Sequence, residues 1–426
     1  MTARDYVILH GPDQAVATAA QSARRRGPGV GVAAVLAAAM KDQAVESLRR
    51  SAPRAGAEAA SDAALKVETD RMAPAAARAM LQNKRVAAVA PVLPMKLIAP
   101  VGERNVSTAP QAATLWGLDA VGALTSPFDG SGIVVAVLDT GIDPTHEAFQ
   151  RHGLKLERRN FTDAGPDDDN GHGTHCAGTI FGGAVDGTRI GVAPGVSRAM
   201  IGKVLGGNGG GSDQIAQAIQ WAVNGGAHVI SMSLSIDFPG YVMRLLNDGL
   251  PADVATSLAL EGYRANILLF ERLASFVSAR GLLAQPSLLV AAAGNENRQG
   301  AEFEIGVSPP AVSDGIISVA ALGQTPEGLA IAPFSNTGAR LSGPGVDIVS
   351  ARPGGGLASM DGTSMAAPHV AGVAALWAQK LLSENRLFGN EWAARLIASG
   401  TSSALKPGFE PTDIGTGLVR APQPGA

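Results

Sequence analysis

Cysteine is almost absent from this chain of 426 residues: Cys176 is the only one, so no intramolecular disulfide can form. Long hydrophobic runs are also missing. The Ala-rich run at 30–40 is too short to span a bilayer, and residues 1–10 lack the apolar core of a signal peptide. These absences argue against a membrane protein. We expect a soluble, cytoplasmic protein, with secretion by a non-standard route left open.

Charged residues are also scarce, at 17%, and the net charge of −3 gives no reason to expect a nucleic-acid partner. The chain is still 46% hydrophobic, which suits a compact α/β enzyme and not a disordered chain. Residues 1–100 carry 14 Lys and Arg against 8 Asp and Glu, whereas residues 101–426 carry 20 against 29. A basic N-terminal part could therefore dock on an acidic body, or the two biases could be unrelated.

Apolar runs alternate with helical patterns after residue 132. The β-branched run at 133–138 is typical of a strand buried on both faces of a parallel sheet. Comparable runs follow at 199–205, 229–234, 288–293 and 316–321. Helical patterns lie between several of them, at 172–181, 212–223 and 253–280. This alternation predicts a three-layer α/β fold around a parallel sheet.

Residues 1–100 predict a separate, small α+β domain. The expected elements are strands at 6–9 and 65–69, helices at 13–26 and 75–84, and an extended segment at 86–98. Residues 100–132 carry Pro, Gly and Ser and are expected to form a linker. The predicted division is therefore 1–100 and 101–426.

Polar residues follow two of the predicted strands, where functional groups of parallel sheets collect. Asp139 directly follows the first strand, and Asn295 comes soon after the strand at 288–293. An acid at such a place can hold a histidine, and an amide can donate to an oxyanion. Both residues also have an ordinary interpretation, since Asp and Asn are common in turns.

His172 opens a helix of small residues and could act as a general base near its unperturbed pKa. Alternatively, His172 and His175 could bind a metal together with the acidic run at 167–169. The metal interpretation is weaker, because the spacing is not His-Glu-x-x-His. The acidic run by itself is expected to be a solvated loop.

Ser364 stands among small residues just before a helical apolar pattern at 370–377. Gly362 allows a sharp turn ahead of the helix. The free N–H groups of a helix start favour negative charge beside the hydroxyl, which suits a nucleophile. The same position also suits a serine that only caps the helix.

Considered together, these four side chains predict one nucleophilic site. Ser364 would attack a carbonyl, and His172 would take its proton and pass it to the leaving amine. Asp139 would orient the imidazole. Asn295 and the N–H of Ser364 would bind the oxyanion.

Four motifs, in this order, resemble those of the subtilisin-like serine proteases. They are Asp-Thr-Gly-Ile-Asp at 139–143, His-Gly-Thr-His-Cys-Ala-Gly at 172–178, Ala-Ala-Gly-Asn at 292–295, and Gly-Thr-Ser-Met-Ala-Ala-Pro-His-Val-Ala-Gly at 362–372. The resemblance covers about residues 115–420. It implies a subtilisin-type fold, a serine endopeptidase acting on polypeptides, and the catalytic residues Asp139, His172 and Ser364. A dedicated intracellular processing protease and a catalytically silent peptide-binding module are the alternatives.

The resemblance also implies that substrate binds as an added β-strand. The expected binding residues are Gly209, Gly210, Gly211, Ser233, Leu234, Ser235, Ala293 and Gly294. The family often has a Gly pair where this chain has Ser235 and Ile236, which puts the usual wide pocket entrance in doubt. The chain is also longer than the family norm at about 237–260. This insertion could restrict the cleft, recruit a partner or be merely structural.

Further expectations come from the resemblance alone. Residues 1–100 resemble the family's propeptide, a ferredoxin-like unit that acts as folding template and inhibitor, with cleavage expected between 95 and 108. A permanently attached domain is the alternative. Cys176 is similar to the cysteine of the proteinase K branch and is expected to be buried and non-catalytic. No cofactor is required; calcium is possible but unsupported, because Ala148 stands where an acidic ligand is common.

Overall fold

The computed structural model describes residues 3–11, 65–106, 115–281, 285–298 and 303–425. The helix expected at 13–26 lies outside these residues. The strands are β1 (Arg4–His10), β2 (Val67–Met72), β3 (Val86–Pro91), β4 (Pro94–Leu97), β5 (Gly102–Val106), β6 (Val134–Asp139), β7 (Lys155–Asn160), β8 (Ala184–Val185), β9 (Thr188–Arg189), β10 (Arg198–Lys203), β11 (Gly210–Gly211), β12 (Val229–Met232), β13 (Leu234–Ile236), β14 (Leu288–Ala292), β15 (Ile316–Thr325), β16 (Gly328–Ile331), β17 (Leu341–Pro344), β18 (Ile348–Ala351) and β19 (Leu357–Asp361).

The helices predicted at 172–181, 212–223 and 253–280 are present within a residue or two, whereas the one predicted at 75–84 ends at Met80. The helices are α1 (Pro74–Met80), α2 (Trp116–Ala120), α3 (His172–Phe181), α4 (Ser212–Asn224), α5 (Phe238–Asn247), α6 (Ala252–Arg280), α7 (Thr363–Ser383), α8 (Gly389–Ala398) and α9 (Pro411–Ile414), with a 3₁₀ turn at Glu147–Phe149. Of the helices in the described ranges, none has the length and apolarity needed to cross a bilayer.

A sheet in the order β16-β15-β14-β12-β6-β10-β7 forms the centre of the larger domain, and β17 also pairs with β15. Its pairings are parallel except that of β15 with β16. Successive residues of β6 face two different cores. Val135 and Val137 pack in the core that holds α3 and α7, whereas Ala136 and Leu138 pack in the core that holds α4 and α6. The predicted three-layer α/β fold is confirmed.

The described part of residues 1–100 contains an antiparallel sheet in the order β2-β1-β3, together with α1. Strand β4 does not belong to that sheet. It lies between β11 and β13 of the larger domain and pairs antiparallel with both. The expected linker at 100–132 is partly wrong, because it contains α2 and β5, and β5 pairs with β19. Short strands depend on cross-strand partners that are remote in the chain, so local sequence did not reveal β5.

Three buried histidines make the fold sensitive to acid. Burial lowers the pKa of His175 to about 3 and lowers the pKa of His228 and His369 to about 4. In the unfolded chain these groups would titrate near a pH of about 6.5. Between about pH 6.5 and 4 the unfolded state therefore binds more protons, and the free energy of unfolding falls as the pH falls.

We expect the urea midpoint of a Ser364→Ala protein, which cannot digest itself, to drop steadily from about pH 6.5 to 4. The midpoint falls because the free energy of unfolding falls, and His228 contributes up to about 3 kcal/mol to that fall in free energy. A His228→Asn variant keeps an acceptor for the Val134 N–H, which bonds Nδ1 of His228 at 3.0 Å, and should flatten the slope. A midpoint that does not change over this pH range would contradict the argument.

Candidate active site

The carboxylate of Asp139 and the imidazole of His172 form a buried hydrogen-bonded pair. Asp139 is the last residue of β6 and His172 is the first of α3. Nδ1 of His172 lies 2.8 Å from Oδ1 of Asp139, and each side chain is 1% exposed. Gly171, with φ of +97°, allows the sharp turn into α3. Because Nδ1 is engaged, Nε2 is the nitrogen left to exchange a proton with another group.

Two opposing effects act on the pKa of His172. Burial lowers it, because the imidazolium loses its hydration. The negative charge of Asp139 and its hydrogen bond raise it and prevail, so the net pKa lies well above the ordinary value. In this state the imidazole gives up its proton only at higher pH than a free histidine.

Asp168 ties the loop before His172 to the ends of both elements that carry the pair. Its Oδ1 accepts hydrogen bonds from Thr140 Oγ1 at 2.8 Å and from Gly171 N at 2.9 Å. Its Oδ2 accepts from Thr174 N at 2.8 Å and from Thr174 Oγ1 at 2.6 Å. The expectation of a wholly solvated acidic loop is therefore wrong for Asp168, which is 8% exposed.

Lys203 binds the same loop, which leads to His172, from the end of the neighbouring strand β10. It ends β10 in register with Asp139, is 2% exposed, and places Nζ 2.9 Å from Oδ1 of Asp169. Sequence reasoning missed this residue. A lysine at the end of an apolar run is a usable signal, because lysine is almost never fully buried unless it is paired.

Asn295 is bonded to the start of α7, at the residue next to Ser364. Ser364 is the second residue of α7 and is fully buried. Oδ1 of Asn295 accepts from Thr363 N at 2.9 Å and from Thr363 Oγ1 at 2.8 Å. These two bonds fix the amide, so that Nδ2 is directed to the chain in the cleft, where it donates to Ala99 O at 2.9 Å. Thr363 is a second residue that sequence reasoning missed.

Strand β4 passes through the cleft, and the predicted glycines form one of its sides. Gly210 stands opposite Met95 and Gly211 opposite Pro94 in the antiparallel ladder. A Cβ atom on Gly209 would come within 2.4 Å of Met95 O. Absent side chains here allow the two main chains to approach, and the role of these glycines in binding a substrate stays a prediction.

The other side of the cleft is the segment from Ser233 to Ser235. The main chain of Leu234 and Ser235 continues the ladder with β4, and Ser235 stands opposite Lys96. Ser233 O accepts a hydrogen bond from Ile98 N at 3.3 Å. The Ser235 hydroxyl, which replaces the glycine expected from the resemblance, is buried and has no hydrogen-bond partner among the described residues.

Ala293 and Gly294 lead from β14 to the amide of Asn295. Gly294 N donates to Thr363 Oγ1 at 3.1 Å, and Ala293 O accepts from Ser308 N at 2.9 Å. These bonds hold the turn that presents Asn295. Their place in the wall of a substrate pocket stays a prediction.

The nucleophile candidate is not bonded to the imidazole. Oγ of Ser364 donates instead to Ile98 O at 2.8 Å. Nε2 of His172 is buried and has no hydrogen-bond partner in the described part of the chain. The four predicted side chains are thus assembled around a segment of the protein's own chain.

The sequence that carries this assembly is similar to the sequences of known proteins of one family. The sequence profile of the subtilase family matches residues 130–406. The chain belongs to the subtilase family. Its protein relatives include alkaline elastase YaB of Bacillus sp. (strain YaB), 35% identical over 316 residues, which are 72% of this chain and 68% of the relative.

Two further relatives show how far the likeness extends. M-protease of Shouchella clausii (strain KSM-K16) is 37% identical over 288 residues, or 65% of this chain and 63% of that protein. Subtilisin Savinase of Lederbergia lenta is 37% identical over 275 residues, or 62% of this chain and 84% of that protein. The predicted subtilisin-type fold and serine endopeptidase class are confirmed.

The segment at about 237–260, which was predicted to be an insertion, lies against the cleft and the strand β4. Asp237 N donates to Pro94 O at 2.9 Å, and the Asp237 carboxylate caps α5 through Gly240 N. Arg244 of α5 borders a cavity of about 450 Å³ that β4 and the segment 205–209 also line. This segment therefore touches the groove, and its status as an insertion stays a prediction.

Cys176 and His175 support the site without forming a metal centre of the kind weighed above. Cys176 is 1% exposed; its Sγ lies 3.3 Å from Ser364 O and 3.7 Å from His172 Nδ1, and burial raises the thiol pKa. His175 Nε2 instead contacts Ile348 O at 2.9 Å, in the β18–β19 hairpin. In the described residues, the one metal-capable group of three is Asp139, His172 and Cys176, which is the pair itself with the thiol.

We expect kcat for a peptide substrate to rise with pH as His172 loses its proton, with a midpoint above the ordinary histidine value of about 6.5. Asp139→Asn removes the charge that raises this pKa, so its residual activity should have a lower midpoint and a kcat about 10⁴-fold smaller, as known for serine-protease triads. The exposed Asp186→Asn should change neither. An unshifted midpoint in Asp139→Asn would contradict the assigned cause.

Proposed function

We propose that this subtilase hydrolyses peptide bonds through an acyl-enzyme on Ser364. The buried Asp139–His172 pair carries this assignment, because it holds Nε2 ready for the serine proton. Oγ attacks the carbonyl carbon while Nε2 takes its proton. The proton then passes to the leaving amine, and water hydrolyses the ester by the reverse route.

The oxyanion is stabilised by two donors that are already oriented. One is Nδ2 of Asn295, whose amide is fixed by Thr363. The other is the main-chain N–H of Ser364, which belongs to the first turn of α7 and has no partner four residues back. Donors held in place before the charge develops need no reorganisation during the reaction.

Residues 1–100 act as an inhibitory and folding domain for the rest of the chain. The described part of this domain contacts α4 mainly through uncharged groups: Val67 N donates to Gln220 Oε1 at 3.1 Å, and Asn224 Nδ2 donates to Leu65 O at 3.1 Å. Thr69 Oγ1 also donates to the carboxylate of Asp213 at 3.4 Å. Lys96 adds a cross-domain ion pair with Glu296 at 3.4 Å. Among the described residues, charge complementarity is thus a minor part of this docking.

Helix α6, whose first residues fall within the predicted insertion, strengthens the same docking. Asn266 of α6 is fully buried, and its Nδ2 donates to Pro91 O at 2.8 Å. Nearby, Ser212 and Leu93 exchange hydrogen bonds: Leu93 N donates to Ser212 Oγ at 3.0 Å, and Ser212 N donates to Leu93 O at 2.9 Å. These contacts deliver β4 to the cleft as a strand that competes with any substrate.

The other functional readings are less well supported. A silent binding module would have no need of an oriented acid, imidazole and amide around one serine. A processing protease for one partner is compatible with a predicted insertion at the cleft, but the named relatives are called an alkaline elastase and M-protease, and neither name points to a single partner. We therefore retain polypeptides as the substrate class and endopeptidase cleavage as the reaction.

The proposed chemistry uses only protein groups and water. No step requires a metal or an organic cofactor. Subtilases often bind structural calcium, but Ala148, which stands where an acidic ligand is common, is fully buried in the core. The chain therefore offers no support for calcium at that position.

A fluorophosphonate probe tests the nucleophile. The full chain should label slowly, because β4 and Ile98 cover Ser364, and should label rapidly once residues 1–98 are lost. Ser364→Ala should not label or digest casein, whereas Ser383→Ala, at the exposed opposite end of α7, should do both. An intact, unlabelled and inactive protein after loss of the N-terminal domain would favour the silent binding module.

Replacement of the amide donor tests the oxyanion assignment. Asn295→Ala should lower kcat by about 10²–10³-fold, which is the loss measured when the corresponding amide of subtilisin is removed. KM should change little, because the donor acts on charge that appears only in the transition state. Asn208→Ala, which removes an exposed amide bordering the same cleft, is the matched control. Equal losses in both variants would remove Asn295 from the mechanism.

A further inference from the structure

Three contacts fix where the protein's own chain crosses the active site. Ile98 N donates to Ser233 O at 3.3 Å and ends the hydrogen bonding of β4. Oγ of Ser364 donates to Ile98 O at 2.8 Å. Nδ2 of Asn295 donates to Ala99 O at 2.9 Å. The nucleophile and the amide donor therefore hold two successive carbonyl groups instead of one.

The two carbonyls point to two different peptide bonds. Attack on the Ile98 carbonyl would release the amine of Ala99, and attack on the Ala99 carbonyl would release the ring nitrogen of Pro100. The hydroxyl of Ser364 lies at the first carbonyl, and Ile98 is 2% exposed, so this residue is enclosed by the site. Contact with the nucleophile selects the bond between Ile98 and Ala99.

We propose that the protease cuts its own chain between Ile98 and Ala99, and that Ala99, held in place by Pro100, delays this cut by occupying Asn295. This inference rests on the proposed function of Ser364. In the step, Oγ bonds to the Ile98 carbonyl carbon and the C–N bond to Ala99 breaks. The serine proton passes by way of His172 to the new amine, and water then releases the Ile98 carboxylate.

The delay follows because Ser364 and Asn295 must each break a hydrogen bond before the reaction can begin. The Ser364 hydrogen is held by Ile98 O, while Nε2 of His172, which must receive it, has no partner among the described residues. Asn295 must leave Ala99 O before it can stabilise charge on the Ile98 oxygen. The observed contacts are those of a bound but unreactive substrate, because attack requires both hydrogen bonds to change.

Pro100 keeps Ala99 in this place. A residue before proline is restricted to extended conformations, so the Ala99 carbonyl has few other directions. Beyond Pro100 the chain is held again, because Val101 N donates to Asp361 O at 2.8 Å and β5 then pairs with β19. The Ala99 carbonyl is thus held on Asn295 from both sides.

The first test maps the cut. The full-length chain is purified in urea, diluted into buffer, and its products are followed by intact mass and N-terminal sequencing. We expect a large fragment that begins at Ala99 and a small one that ends at Ile98. A first large fragment that begins at Pro100, at Val101 or elsewhere would overturn the assigned bond.

The second test addresses the delay. Pro100→Ala frees the residue before it, so the first-order rate constant of self-processing should rise roughly two- to tenfold, the range that loss of one hydrogen bond produces. It also makes the bond after Ala99 an ordinary secondary amide, so a minor fragment that begins at the substituted position should appear. Val101→Ala keeps the main-chain bond to Asp361 and should match the wild type. A Pro100→Ala chain that is no faster than Val101→Ala would overturn the delay.

A control separates this inference from the proposed function. Ser364→Ala alone should stay intact, and its thermal midpoint with and without Pro100→Ala shows whether the substitution disturbs folding. If the Ser364→Ala chain is trimmed as fast as the wild type, another protease does the cutting and the proposed self-processing fails. If the wild type cuts itself at another bond, only the assignment of Ile98 fails.

Discussion

The buried hydrogen bond between Asp139 and His172 is the interaction on which the rest of the site depends. A charged acid at 1% exposure is tolerable only with such a partner, and the partner is held by a helix that starts at the same edge of the sheet. Asp168 and Lys203 act in this structure as supports for that bond. They fix the loop that leads to His172 from two directions.

The cleft beside this pair recognises main chain more than side chains. β4 completes a three-stranded sheet with β11 and β13, so its affinity comes from hydrogen bonds that any extended peptide can make. The same generality explains why the protein's own strand fits. Docking contacts from the N-terminal sheet, α6 and the segment at about 237–260 place that strand in the cleft. Because the strand is part of the same chain, its effective concentration at the cleft is high.

In the proposed self-processing, the cut is delayed because the bound strand is out of line with the catalytic groups. In this chain the misalignment is one residue long: Ser364 holds the carbonyl of Ile98, and Asn295 holds that of Ala99. The unpartnered Nε2 of His172, seen among the described residues, is the visible consequence. A restriction in the backbone at Pro100 accounts for this without any large movement of either domain.

Much of the fold and of the candidate catalytic set was predictable, because local sequence patterns indicate both. Continuous apolar runs indicated parallel strands, helical spacing indicated α3, α4 and α6 within a residue or two, and Asp139, His172, Asn295 and Ser364 were found at the ends of these elements. By contrast, β5 and the roles of Thr363 and Lys203 were not found, since each acts through a partner remote in the chain. The sequence by itself determined which side chains are available for the chemistry. Only the tertiary structure decided which carbonyl meets which of them, because the register of β4 depends on strands more than a hundred residues away.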